Sequence, residues 1–257
     1  NPENARYYTS QAKWTSTLTS RLLLEAGFSV NSEYYTAKYQ PGIGKERGTP
    51  EWLTTIGKND LVLLTNYDGR TAAASGVNPV KEVASAAASY VTGGHAFKTG
   101  VQWGFGPYHL DRDINGDIVQ LYRNGVPDSV RVYNTPARTY EQLNADLGIF
   151  AQDSWSLNRL TLNAGVRLEY FNAMIKEQDV VAGRFAPARH FDEMRDLPNW
   201  FNITPRLGAS YDVFGNGRTA IKGTFNKYMA GQGLGWTQRY NPLQLQTDTR
   251  TWTDVNR

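Results

Sequence analysis

The sequence predicts an all-β fold, a membrane-spanning antiparallel β-barrel, of which this chain supplies about eight strands with long extracellular loops. Three observations predict it. Residues 159 to 170, RLTLNAGVRLEY, alternate strictly: Leu160, Leu162, Ala164, Val166, Leu168 and Tyr170 against Thr161, Asn163, Gly165, Arg167 and Glu169. Period two is a strand signal, and the run has the roughly nine to eleven residues that a tilted strand needs to cross a bilayer. Several such runs are joined in pairs by short turns, whereas the pairs are separated by long polar segments. That asymmetry of short turns at one end and long loops at the other belongs to membrane barrels rather than to soluble sandwiches.

Taken in order, the first hairpin spans Lys13 to Val30. Trp14, Ser16 and Leu18 precede a turn at Thr19-Ser20, and Leu22, Leu24, Ala26, Phe28 and Val30 then alternate with polar partners. Asn31 to Lys81 is polar, rich in Gly and Pro and without periodicity, as expected of a long loop. Val83 to Val91 is rich in Ala and Ser and preceded by Asn78-Pro79, so it competes as a helix. The Gly93-Gly94 turn and the alternating arm His95 to Phe105 favour a second hairpin.

Ile118 to Tyr122 and Ser129 to Tyr133 flank Asn124-Gly125, a strong hairpin signal, expected to project into solvent. Leu143 to Leu157 leads through a short link into the 159 to 170 run as the third membrane hairpin; Asp153 breaks its apolar face near the turn. Asn172 to Asn202 is a second long polar segment. Leu207 to Val213 and Thr219 to Phe225, joined by Gly215-Asn216-Gly217, form the fourth hairpin, and Gly231 to Arg257 reads as a loop that stops without a strand.

Composition narrows the function. Lys+Arg 27 against Asp+Glu 24 is nearly balanced and scattered, so nucleic acid is not an expected partner. A mean hydropathy of -0.53 and the lack of any run of 18 apolar residues exclude a membrane helix but not a barrel, whose strands show lipid only at alternate residues. Tyr 15 and Trp 7 suit interfacial girdles, and equally a carbohydrate-binding sandwich. The absence of cysteine removes disulfides, thiolate metal sites and cysteine nucleophiles. The polar opening Asn1-Pro2-Glu3-Asn4 carries no secretory signal, as expected either of a cytosolic protein or of a mature or partial sequence.

DRDINGD has the Asp-x-Asp-x-Asn-Gly spacing of a calcium loop, with Asp111, Asp113, Asn115 and Asp117 as candidate ligands. Tyr122 stands where the twelfth-position glutamate would be, and a solvated turn is the plainer reading. His95, His109 and His190 lack zinc spacing and read as surface or girdle residues. Arg167 with Glu169, and Arg206 with Asp212, fall on polar faces and are candidates for a charged ladder inside a lumen. Trp52, Tyr67, Tyr108, Trp236 and Tyr240 fall in expected loops, where they would stack on flat ligands or simply pack. No catalytic constellation or cofactor motif is present, and Asn202-Ile203-Thr204 matches a glycosylation acceptor without further meaning here.

Residues 147 to 172, LGIFAQDSWSLNRLTLNAGVRLEYFN, and 197 to 229, LPNWFNITPRLGASYDVFGNGRTAIKGTFNKYM, resemble the barrel of TonB-dependent outer-membrane receptors, nearest to the Oar-like group. YRNGVPDSVRVYNTP and SYVTGGHAFKTGVQWGFG are similar to segments of that group. The resemblance implies a 22-stranded barrel plugged by an N-terminal domain in the outer membrane of a Gram-negative bacterium. It also implies uptake of a small solute such as a siderophore, vitamin, oligosaccharide or peptide, and a TonB-type energy-transducing partner. On that pattern residues 1–257 are expected to be a partial barrel domain without plug or C-terminal strands. Two other classes compete with it: a soluble β-sandwich that binds carbohydrate, and a passive structural or adhesin barrel.

Overall fold

The computed structural model describes residues 5–253; Asn1-Pro2-Glu3-Asn4 and the last residues of the tail, 254–257, lie outside the described residues. In chain order the strands are β1 (Arg6–Thr17), β2 (Leu22–Ala37), β3 (Gly57–Asp60), β4 (Thr65–Tyr67), β5 (Ala74–Thr92), β6 (His95–Asp113), β7 (Ile118–Arg123), β8 (Val126–Tyr133), β9 (Ala137–Leu157), β10 (Leu160–Ile175), β11 (Gln178–Val180), β12 (Arg189–Phe191), β13 (Asn199–Asp212), β14 (Ala220–Asn226) and β15 (Thr247–Thr251). Helix α1 (Pro50–Thr54) and helix α2 (Gly235–Tyr240) are short.

Eight strands make one antiparallel sheet in the order β1-β2-β5-β6-β9-β10-β13-β14, and the sheet is open, with β1 and β14 at its edges. All four predicted membrane hairpins are present, and the Ala-rich run is strand, not helix. Register puts the apolar set on one face throughout: Val166 faces Ala151 and Pro205, Leu168 faces Ile149 and Ile203, and Ile149 continues to Val101. No second sheet covers this face, since Trp14, Phe28, Phe97, Val101, Ile149, Val166, Ile203 and Phe225 are all exposed. A soluble sandwich would bury them. Among the described residues no helix is long and apolar enough to cross a membrane.

The strands run well past the apolar belt. β6 and β9 have 19 and 21 residues, and β9 carries a bulge near Asn144, at the height where the belt ends. Here the sequence reading falls short. Asn31 to Lys81 and Asn172 to Asn202 are not plain loops: β2 extends to Ala37, β5 begins at Ala74, β10 extends to Ile175, β13 begins at Asn199, and both segments contain further strands. The ladder continues where the outward positions turn polar (Ser32, Tyr34 and Thr36 on β2; Asn78 on β5), so the two faces no longer differ and period two disappears from the sequence although the strand does not.

The Asn124-Gly125 hairpin is also corrected. Both turn residues have positive φ (49° and 75°), the geometry of the tight hairpin turn. It does not stand alone in solvent but joins a five-stranded sheet in the order β15-β8-β7-β3-β4. This sheet has its own core of Ile114, Val119, Leu121 and Tyr133. Nor is Gly231 to Arg257 plain loop: it forms α2 and then β15, which pairs with β8. Thr247–Thr251 is polar and exposed along its whole length, which removes the alternation a sequence reading needs.

Candidate functional site: the polar face and the cap over it

The loops identify the inner face. At the long-loop end Leu143, Phe171 and Ala173, on the polar side of the sheet, are buried beneath Trp200 and Leu234. The chain after β14 therefore folds over the polar face, which is the lumen side, and leaves the apolar belt free.

Below that cap the inner face carries the charges. Lys13 and Lys98 bracket Glu25 at 2.9 and 3.1 Å, the second reaching across β5. Lys81 meets Asp146 at 2.8 Å across β6, and Arg167 donates to Glu169 at 2.8 Å. Glycines make this possible. A Cβ on Gly148 would lie 1.8 Å from the Arg167 guanidinium, and one on Gly104 would meet Lys81 at 3.0 Å and Asp146 at 3.3 Å. Long side chains thus lie flat on the wall over residues that have none. Such half-exposed pairs contribute about 0–1 kcal/mol each; their consequence is a lumen surface of fixed, alternating charge.

The expected ladder is present in part. Arg167 and Glu169 pair as expected, but Arg206 lies 5.0 Å from the ring centre of Tyr228, and Asp212 instead accepts from the backbone N–H groups of Gly215 and Gly217 to close the turn. Glu25 and Lys98 were legible only as polar-face positions and Lys81 only as part of an expected loop; that they meet Lys13 and Asp146 as they do is a matter of register across three strands.

Beside this ladder runs a chain of rings. Phe171, Trp200, Trp236 and Tyr240 follow one another with centres 6.0, 5.5 and 5.6 Å apart. Trp236 and Tyr240 are exposed on α2, which packs over β9 and β10. Thr237 of the same helix is fully buried and donates to the Leu197 carbonyl, fixing the rings' placement. A hollow of about 200 Å³ lies between Lys81, Asp146 and Glu169 on one side, Phe171 and Trp200 on another, and residues 229–232 as a strap. Trp236 and Tyr240, candidates from the sequence, continue the row of rings from Trp200 but do not line the hollow; Trp200 was missed because it fell within an expected loop.

The other aromatic candidates lie elsewhere. Trp52 is buried under the Arg47 guanidinium, Tyr67 packs with Tyr122, and Tyr108 lies not in a loop but in β6, opposite Glu141 of β9. Of the histidines, His95 sits on the apolar face at the turn end, 2.7 Å from Asp153 and stacked between Phe97 and Trp155, as a girdle residue would. His109 stacks edge-on with Tyr140, and burial lies first among the causes that lower its protonation. His190 bridges Asp179 and Asp192, which raise its pKa above the usual value.

The DRDINGD turn is a junction of the cap. Arg47 donates to both Asp113 and Asp117. Burial opposes the charge on Arg47, and the two carboxylates outweigh it, so the guanidinium is held firmly charged. Asp117 is fully buried and also accepts from the Thr135 hydroxyl and the Arg184 N–H. Asn115 donates to the carbonyls of Ile43 and Thr55, whereas Asp111 turns away to Arg138 at 3.3 Å. A cation thus already sits between Asp113 and Asp117, and it is an arginine. Among the described residues no cluster of three or more histidine or carboxylate groups is placed to hold a metal.

A family defined as an outer membrane beta barrel domain matches residues 1–256. This chain belongs to the outer membrane beta barrel family. An outer-membrane location follows from that membership and accounts for the uncovered apolar belt. The TonB-dependent transporter Oar of Myxococcus xanthus is 31% identical over 130 residues, a match spanning 50% of this chain and 11% of that protein. No solved structure matches. As an outer-membrane barrel, the chain has its apolar belt in lipid and its ladder in the lumen, with the five-stranded sheet and α2 at the mouth formed by the long loops.

Proposed function

We propose that this chain is part of the wall and mouth of an outer-membrane transporter that takes up a solute, with a TonB-type protein supplying energy to the whole molecule and no chemistry performed on the cargo. One observation carries the reading: the loops are not splayed into solvent but built into a cored cap that lies over the charged inner face and brings the aromatic residues of α2 to it. A passive wall would need no cored structure there. The likeness to the Myxococcus transporter supports the same direction.

The test is uptake by cells that carry or lack the gene, with and without a protonophore. Accumulation of a solute that needs both the gene and the proton-motive force is expected. A solute that equilibrates equally with the protonophore present would make the barrel a passive pore, and the absence of any gene-dependent uptake or growth phenotype would overturn the transport reading.

A further inference from the structure

We infer that the outer surface of the wall, just above the apolar belt, binds one lipid of the outer leaflet, a phosphorylated glycolipid whose head occupies a hollow lined by Tyr34, Lys38, Asn78, His109 and Arg138. The site lies on the side of the sheet away from the lumen, so it is independent of what the barrel transports.

Register places the hollow. The outward row of β6 runs through Val101, Trp103 and Phe105 and continues as His109 and Asp111. Asn78 of β5 and Tyr140 of β9 flank His109, and Gly76 and Arg138 flank Asp111. Phe105 ends the apolar row. At about 3.3 Å rise per residue and roughly 45° tilt, His109 stands about 9 Å above it, at the height of lipid headgroups rather than of hydrocarbon. Long loops mark the extracellular end of a barrel, so the leaflet is the outer one. The hollow at this height measures about 330 Å³, room for more than a phosphate alone.

Charge selects the head. Arg138 meets Asp111 through Nε at 3.3 Å with both side chains more than half exposed, so its terminal nitrogens stay available. Asp113 is already held by Arg47. Lys38 is exposed and has no carboxylate partner among the described residues, and the charge of Lys176, just past β10, reaches His109. The uncompensated charge on this stretch is therefore positive, and a guanidinium beside an ammonium matches a phosphate group. Tyr34, Asn78 and His109 supply polar partners for the hydroxyls of a sugar that carries it.

The belt beneath selects a lipid over a soluble phosphate. Below the hollow the outward residues of β5 are small: Ala84 stands between Phe28 and Trp103, and Ala86 between Ala26 and Val101. They make a shallow apolar trough up the wall, in which an acyl chain covers more surface than against a flat face. Glu82, between Val30 and Phe105 at the head of the trough, is placed to accept from a hydroxyl or amide N–H where head and chain join.

The intact protein that carries this chain would be purified in mild detergent and titrated with rough-type lipopolysaccharide, bound lipid being counted by native mass spectrometry. Phosphatidylethanolamine and inorganic phosphate would serve as competing probes. Retention of one lipopolysaccharide is expected, weakened about tenfold by Lys38→Ala with Arg138→Ala and by Ala86→Trp, which fills the trough. Arg138→Lys should keep part of the binding, and Val166→Trp, on the same face but away from the trough, should keep all of it. A heat-modifiable band on a gel shows which variants are folded. Absence of lipopolysaccharide binding, or equal binding by every folded variant, would overturn the inference. Equal binding of phosphatidylethanolamine would refute the glycolipid. Displacement by inorganic phosphate with no effect of Ala86→Trp would make the hollow a site for a soluble anion and refute the lipid. Each of these results leaves the transport reading to its own uptake assay.

Discussion

Replacing Val166 by arginine puts a charge near mid-height of the apolar belt. The outward run on β10 begins at Leu160 beside the turn and ends at Tyr170. At about 3.3 Å rise per residue and roughly 45° tilt, Val166 stands about 14 Å above Leu160, close to the middle of a belt about 25 Å tall. Its side chain is 43% exposed, so most of the cost of V166R is transfer of the guanidinium into hydrocarbon rather than lost packing. An arginine at that depth costs about 2–4 kcal/mol, and one near the interface about 0–1. Leu160→Arg and Tyr170→Arg should therefore fall in the lower range. Asn163→Arg, on the lumen face opposite Gly208, should stay within about 0.5 kcal/mol. The assay is equilibrium unfolding of the intact protein from phospholipid vesicles in guanidinium chloride. Equal costs for V166R and N163R would refute the assignment of faces, and equal costs at 160, 166 and 170 would refute the assigned depth.

Three further outcomes follow from the site and its cap. Gly148→Leu drives a side chain through the Arg167 guanidinium, so the guanidinium must swing aside and the Arg167–Glu169 pair must break; because only the free end of a flexible side chain has to move, the cost should stay within the about 0–1 kcal/mol of such a pair, read in the same unfolding assay, and Gly148→Ala should behave alike. Asp60 accepts from the backbone N–H groups of Leu63, Gly125, Val62 and Asn124, and these bonds hold its carboxyl below the usual range. Its contribution to the tip of the cap is therefore present above the ordinary aspartate pKa and lost as pH falls through the lowered one, and Asp60→Ala should speed hydrogen exchange at those four amides at neutral pH. For His190 the sign is opposite: bonds to Asp179 and Asp192 raise its pKa, so the clasp on the β11–β12 hairpin is complete below the ordinary histidine value and is lost as pH rises through the raised one. A histidine NMR titration should give a midpoint above about 6.5, falling in Asp179→Asn.

Where lipid meets one face and water the other, the sequence shows the strand plainly, and residues 159 to 170 are the clearest case. Above the belt both faces are polar, and β2 beyond Val30 or β5 before Glu82 cannot be told from loop, although the backbone ladder continues unbroken. The cap was hidden for another reason. Its core brings together Ile114, Val119, Leu121 and Tyr133 with Leu61, Ala73 and Leu245, residues so far apart in the chain that no local window contains them. The DRDINGD turn shows the same limit, since spacing identifies Asp113 and Asp117 as a place for a cation but only the fold brings Arg47 to it. The aromatic site was legible by half: Trp236 and Tyr240 stand out as aromatic residues in a polar tail, whereas Trp200 acquires meaning only from Phe171 opposite it.

The central claim is that one face of this sheet meets lipid and the other an aqueous lumen, and the chain's lack of cysteine lets single cysteines report it without background from these residues. Spin labels would be placed one at a time from 161 to 169 on β10 in the intact protein in membranes, and their collision rates with oxygen and with a water-soluble nickel complex compared. Oxygen maxima at the even positions 162, 164, 166 and 168, with nickel maxima at the odd ones between them, are the predicted result. In-phase profiles, or nickel access equal at Val166 and Arg167, would contradict the account.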